Sequence, residues 1–269
     1  MDISYSSYTK LGVLRFILYT PFYTRYMEIA RSANFSATEA VYGAAQGSDM
    51  LRGLTYYTGL LPYELYVIPG MYLALMHALQ TNDMTTIRVH ILPHLLAFSV
   101  FQRLKHKAGR ERPGCAHPKL GNFINKGHCH GKVRFSSMPS GHTGIASALL
   151  MALILELHIL EDPKLFGIHV SAEARPYIAS AAVFCTLMVA LHRVAGGYHY
   201  VGDVLVGALL GSMIGIFSWK VTQPPTPEGA PEAQIPWWHA VSGILSALFA
   251  LLLIDFVVND VPRLTSVQH

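Results

Sequence analysis

Three short stretches of the chain hold residues whose types and spacing suit chemistry. In "HRVAGGYHYVGDVLVG", Arg193 is followed by His199 and Asp203. If the apolar segment beginning near Tyr198 is helical, His199 and Asp203 stand four residues apart on one face. A carboxylate there could fix the imidazole tautomer and stabilise its charged form. A buried hydrogen bond with no chemistry would account for the same pair.

The second stretch, "SSMPSGHTGIASALLMAL", sets Pro139, Ser140, Gly141 and His142 directly before a long apolar helix. The first N–H groups of such a helix and the positive end of its dipole suit an anion. Ser140 is also a good N-cap, so Ser-Gly could simply start the helix. His142 argues for more, because a titratable ring at a helix mouth in a membrane is costly without a task.

The third is "RLKHKAGRERPG". It opens a connection in which Arg103, Lys105, Lys107, Arg110, Arg112, Lys119, Lys126, Lys132 and Arg134 gather nine of the chain's 20 Lys and Arg residues. Three explanations compete: a cytoplasmic loop under the positive-inside rule, a patch for anionic lipid headgroups, and a site for a phosphate ester.

These stretches must be positioned by helices in a membrane. The 269 residues are 52% hydrophobic and 13% charged, against roughly 25% charged in soluble domains, and the mean hydropathy is +0.34. A helix needs about 20 apolar residues to cross the hydrocarbon layer. Trp237–Val258, Tyr200–Trp219 and Gly141–Leu160 meet that length. Tyr177–Leu191 is shorter, and Tyr56–Leu79 and Val89–Phe101 are broken by Glu64, Pro69, His90 and Pro93. Leu11–Ala30, with Arg15, Arg25 and Glu28, fits either a tilted span or an interfacial helix. The first 30 residues do not read as a cleaved signal peptide.

The expected fold class is all-α: a polytopic membrane bundle of about six core transmembrane helices with an extra carboxy-terminal span. The divisions are an amino-terminal segment 1–55, a core 56–220, a Pro-rich linker 221–236, and a terminal helix and tail 237–269.

Read together, the stretches give Lys105-x6-Arg112-Pro113, then Pro139-Ser140-Gly141-His142, then Arg193-x5-His199-x3-Asp203. In this the chain resembles the type 2 phosphatidic acid phosphatase superfamily, the lipid phosphate phosphatases and their relatives, which include vanadium haloperoxidases. Three blocks in order, with matching internal spacing, are far more specific than any one. The resemblance covers roughly residues 56 to 220 and departs from the family pattern at His192, where the family usually has Ser.

The resemblance implies roles. His199, oriented by Asp203, would attack phosphorus and form a phosphohistidine, and His142 would protonate the leaving oxygen. Lys105, Arg112 and Arg193, with Ser140 and the Gly141 amide, would bind the phosphate oxygens. No cofactor or metal is expected, since the protein supplies the positive charge itself. Lys107, Arg110, Lys119, Lys126, Lys132 and Arg134 lie outside the signature and read as solvated loop charges.

His128-Cys129-His130 with Cys115 and His117 lacks paired-ligand spacing for zinc. Cys115 and Cys129 better suit a disulfide in an oxidising compartment, and Cys185 reads as a small apolar residue within a span. With Leu11–Ala30 counted as a span and a cytosolic amino terminus, the site faces an extracytoplasmic or lumenal side, against the positive-inside bias of the loop.

The expected partners are a phosphorylated lipid substrate and membrane lipids, with no nucleic acid. Alternatives are a phosphatase of a soluble ester such as a sugar phosphate, a lipid head-group phosphotransferase, and a non-enzymatic lipid-binding protein. A channel or transporter marked by Glu64 is a further rival.

Overall fold

A computed structural model describes residues 21–65, 70–121 and 126–222 of the chain. The principal helices are α1 (Pro21–Gln46), α2 (Asp49–Leu65), α3 (Met71–Thr81), α4 (Leu92–Ala108), α5 (Gly141–Ile159), α6 (Ala174–Ala195) and α7 (Val201–Val221). Among the described residues, four helical stretches are long and apolar enough to cross a bilayer: Met84–Ala116, Gly141–Ile159, Ala174–Ala195 and Val201–Val221. The expected span Trp237–Val258, the linker after residue 222 and residues 11–20 of the first candidate span lie outside the described residues.

Several expected boundaries move for local reasons. Val89–Phe101 is part of a longer helical stretch. Asp83 caps its start by accepting from the Thr85 N–H at 2.9 Å, and a π-helical turn at Ile87–Ile91 leads into α4. A proline ring clashes with the carbonyl four residues back in a regular helix. The widened turn ahead of Pro93 moves that carbonyl away, so the helix continues. It ends at Gly109, whose φ of 53° is in the left-handed region and whose N–H donates to the Lys105 carbonyl at 3.2 Å. Lys105 is thereby fixed in the last turn of α4. Tyr177–Leu191 extends to α6, and Tyr56–Leu79 divides between α2 and α3.

The all-α expectation has one local exception among the described residues. The connection after α5 makes a two-stranded antiparallel hairpin, β1 (Lys164–Leu165) with β2 (Ile168–His169). Phe166 and Gly167 at its tip have φ of 52° and 76°, and two successive residues of positive φ are what a two-residue hairpin turn requires.

Among the described residues the tightest packing joins α5 to α7, and small residues make it possible. A Cβ added at Gly207, Gly211 or Gly215 would fall 2.6, 2.0 or 2.3 Å from the carbonyl oxygens of Ser140, Gly144 and Ala148 respectively. Two stripes of small residues at four-residue spacing thus let the backbones touch, the interaction that joins helices where water is absent. On α4, the Phe101 ring occupies the space that a Gly144 side chain would fill. Phe101, Ala97, Ile145, Ala148, Met213 and Ile214 form the buried cluster linking α4, α5 and α7. These contacts bring the carboxy-terminal end of α4 beside the amino-terminal ends of α5 and α7.

Candidate active site

The two helix starts at this end are treated differently. At α7, the Tyr200 N–H donates to the Asp203 carboxylate at 3.0 Å, Val201 N–H to the Thr38 hydroxyl at 3.1 Å, and Gly202 N–H to the Asn34 side chain at 2.7 Å. The amides that an α-helix leaves without partners are therefore satisfied within the protein. At α5, Ser140 occupies the N-cap position without a side-chain capping bond. Its hydroxyl instead pairs with the Thr143 hydroxyl at 3.0 Å. The Lys105 Nζ lies 3.1 Å from the position a Gly141 Cβ would take, so an ammonium group stands at the open, positive end of a helix.

His199 lies in the turn between α6 and α7. Gly197 makes that turn with φ of 69°, and a Cβ there would meet the Leu120 carbonyl at 2.2 Å. The imidazole is fully buried. Its Nδ1 faces the Ser137 carbonyl oxygen at 2.5 Å; a carbonyl can only accept, so Nδ1 carries the proton and Nε2 the lone pair. Nε2 is buried and has no hydrogen-bond partner among the described residues. Burial, followed by the charges of Arg193, Arg112, Lys105 and His142, pushes the His199 pKa well below the ordinary imidazole value. The ring is neutral at neutral pH, as a nitrogen nucleophile must be.

The expected His199–Asp203 contact is corrected here. Helix α7 begins at Val201, so His199 precedes it and the four-residue face rule does not apply. The Asp203 carboxylate instead accepts from Arg110 Nη1 at 2.6 Å, from the Ser137 hydroxyl at 2.5 Å and from the Tyr200 N–H. Arg110 is likewise no solvated loop charge, because it pairs with a fully buried carboxylate and lies 4.1 Å from the centroid of the Tyr200 ring.

The other expected residues lie around the same space. His142 is in the first turn of α5, within electrostatic reach of Arg193, Lys105, His192 and Arg112. The Arg193 guanidinium lies over the Tyr198 ring, 4.1 Å from its centroid, and the edge of the pair is closed by His128 against Tyr198 at 5.2 Å. Arg112 is buried and held by the loop: Nε donates to the Val133 carbonyl at 3.0 Å, Nη1 to the Tyr198 carbonyl at 3.1 Å, and Nη2 to the Ser136 hydroxyl at 3.0 Å. Three of the five N–H groups of a guanidinium are thus spent on fixing the residue.

Cys115 and Cys129 form a disulfide with Cα atoms 5.4 Å apart. His192, the departure from the family pattern, is buried in α6, where its Cβ occupies the space a side chain at Gly59 of α2 would need.

Ser137 and the true partner of Asp203 were not legible as functional residues. Ser137 stands two positions before Pro139, and no helix or strand period connects it to His199.

No curated protein and no solved structure matches the chain. One family model does, described as the PAP2 superfamily, over residues 70–227. That range holds α3 to α7 with Lys105, Arg110, Arg112, Ser137, His142, Arg193, His199 and Asp203, and with more than half of its length matched the chain belongs to the PAP2 superfamily.

Proposed function

We propose that this protein is an integral membrane enzyme that hydrolyses a lipid phosphate monoester or diphosphate through a phosphohistidine on His199, without a metal. Its family is one of phosphatases, and its apolar helices fit a membrane protein. The observation that carries the reading is the state of His199: one ring nitrogen donates to a carbonyl, and the other, buried and unpartnered among the described residues, has cations on several sides.

In the first step the Nε2 lone pair attacks phosphorus, and the N–P bond forms as the bond to the leaving oxygen breaks. That oxygen takes a proton from His142. An anion bound among these cations favours the imidazolium form of His142 that this step needs. In the second step water attacks the phosphohistidine, His142 recovers a proton, and inorganic phosphate leaves. Lys105, Arg112, Arg193, Ser140 and the Gly141 amide hold the non-bridging oxygens, as preorganised donors aimed at developing charge. The three cations stand where a divalent ion would otherwise act.

A site at the ends of helices as apolar as these suits a substrate whose tail stays in hydrocarbon. The Cys115–Cys129 disulfide beside it supports an extracytoplasmic or lumenal location.

The test presents purified protein in detergent with phosphatidate, lysophosphatidate, a sphingoid-base phosphate, a polyprenyl diphosphate and a sugar phosphate, and measures released phosphate with and without EDTA. Turnover of the lipids, unchanged by EDTA, is expected. Turnover of the sugar phosphate alone would overturn the lipid assignment, and loss on EDTA with recovery on Mg²⁺ would overturn metal independence.

A further inference from the structure

Resting on the reading of His199 as nucleophile, we infer that Arg110, a residue outside the three-block signature, is a positioning residue for that histidine and acts through Asp203 and Ser137. The contacts form a continuous path. Arg110 Nη1 donates to Asp203 Oδ1 at 2.6 Å, the Ser137 hydroxyl donates to Asp203 Oδ2, and the Ser137 carbonyl accepts from His199 Nδ1. Arg110 also holds Ser137 through the backbone, since its own carbonyl accepts the Ser137 N–H at 2.9 Å. Ser137 is therefore held by Arg110 on its amide side and through Asp203 on its side chain, and its carbonyl points where His199 needs it.

Charge gives the path its direction. Asp203 is fully buried, and a buried carboxylate stays ionised only when a cation and good donors face it. Arg110 is the cation within salt-bridge distance of it among the described residues. Without that charge, a proton on Asp203 would take away the carboxylate acceptor to which the Ser137 hydroxyl donates, and the carbonyl would be free to turn away from Nδ1. The Nδ1–H would then lose the acceptor that keeps Nε2 deprotonated. The guanidinium is 28% exposed and lines a cavity of about 820 Å³ with Arg31, Phe35, His117, Met138 and Tyr200, so a lysine fits in its place. No step of the reaction requires Arg110 to touch substrate.

The experiment compares kcat and KM for phosphatidate in detergent micelles across the full-length wild type, Arg110→Gln, Arg110→Lys, Ser137→Ala, the Arg110→Gln/Ser137→Ala pair and Lys119→Gln. The expected result is a kcat lowered about 10-fold to 100-fold in Arg110→Gln, the range for losing an outer partner of a working imidazole, with KM within a factor of two. Arg110→Lys should recover most of it, and Lys119→Gln should match wild type. Ser137→Ala should lower kcat also, and the pair should lose less than the product of the two single losses.

Wild-type kcat in Arg110→Gln, a raised KM at unchanged kcat, or independent losses in the pair would each overturn the inference while leaving the phosphatase reading intact. A wild type inactive on phosphatidate and on every other lipid of the panel above would instead remove that reading. If Arg110→Gln does not yield folded protein, Ser137→Ala decides, and wild-type kcat in it overturns the inference.

Discussion

At one end of the α4, α5 and α7 bundle, Arg88, Glu156 and Trp219 are buried and paired with one another. Glu156 accepts from Arg88 Nε, Arg88 Nη2 and Trp219 Nε1, each at 2.8 Å, and Arg88 Nη1 donates to the Thr222 carbonyl at 3.0 Å. At the other end, about four helical turns away along α5, Lys105, Arg112 and Arg193 face a neutral imidazole whose outer nitrogen has no partner among the described residues. Both ends bury charge in the same helices. One end matches each charge with its opposite, whereas at the other the Arg110–Asp203 pair stands beside three further cations turned toward the imidazole. Like charges held together are costly until an anion arrives, so the difference separates a structural junction from the proposed phosphate site.

The comparison predicts that changes at the two ends have different readouts. The largest effect belongs to the open end: His199→Ala should lower phosphate release by at least on the order of 10³-fold, as for loss of a nucleophile, with an unchanged thermal midpoint. Residual turnover within tenfold of wild type would erase the distinction.

Next comes the paired end, where Glu156→Ala strands a buried guanidinium and should cost about 3–5 kcal/mol of stability, while folded protein keeps near-normal kcat. A kcat deficit in excess of the folded fraction would show the two ends to be coupled. The smallest effect sharpens the comparison between them. Gly211→Ala, midway along α7, forces a methyl against the Gly144 carbonyl and should cost about 1–3 kcal/mol, seen as a lower thermal midpoint with kcat reduced only as far as the mouth of α5 shifts.

Much of the site was readable from residue types, and less from their connections. His199, His142, Lys105, Arg112 and Arg193 could be picked out because the signature blocks preserve their spacing, and α5 and α7 because 20-residue apolar runs are hard to mistake. Asp203 was identified but given the wrong neighbour, because the four-residue rule assumes a helix that starts two residues too late to include His199. Arg110 was dismissed for lying outside the signature, although its neighbour Arg112 lies inside it.

The Arg88–Glu156 pair is separated by 68 residues and has no local signal at all. The stripe Gly207, Gly211, Gly215 did carry a signal, the four-residue repeat of small side chains in an apolar helix. It marks the tightest helix packing among the described residues.

The bonds from Asn34 and Thr38 to the first amides of α7 extend beyond that packing. Both accepting side chains come from α1, outside residues 70–227. A fragment trimmed to the region shared with the family would leave the Val201 and Gly202 amides to find other partners just beyond His199. What is inherited as a recognisable pattern is therefore smaller than what must be expressed to obtain a working protein.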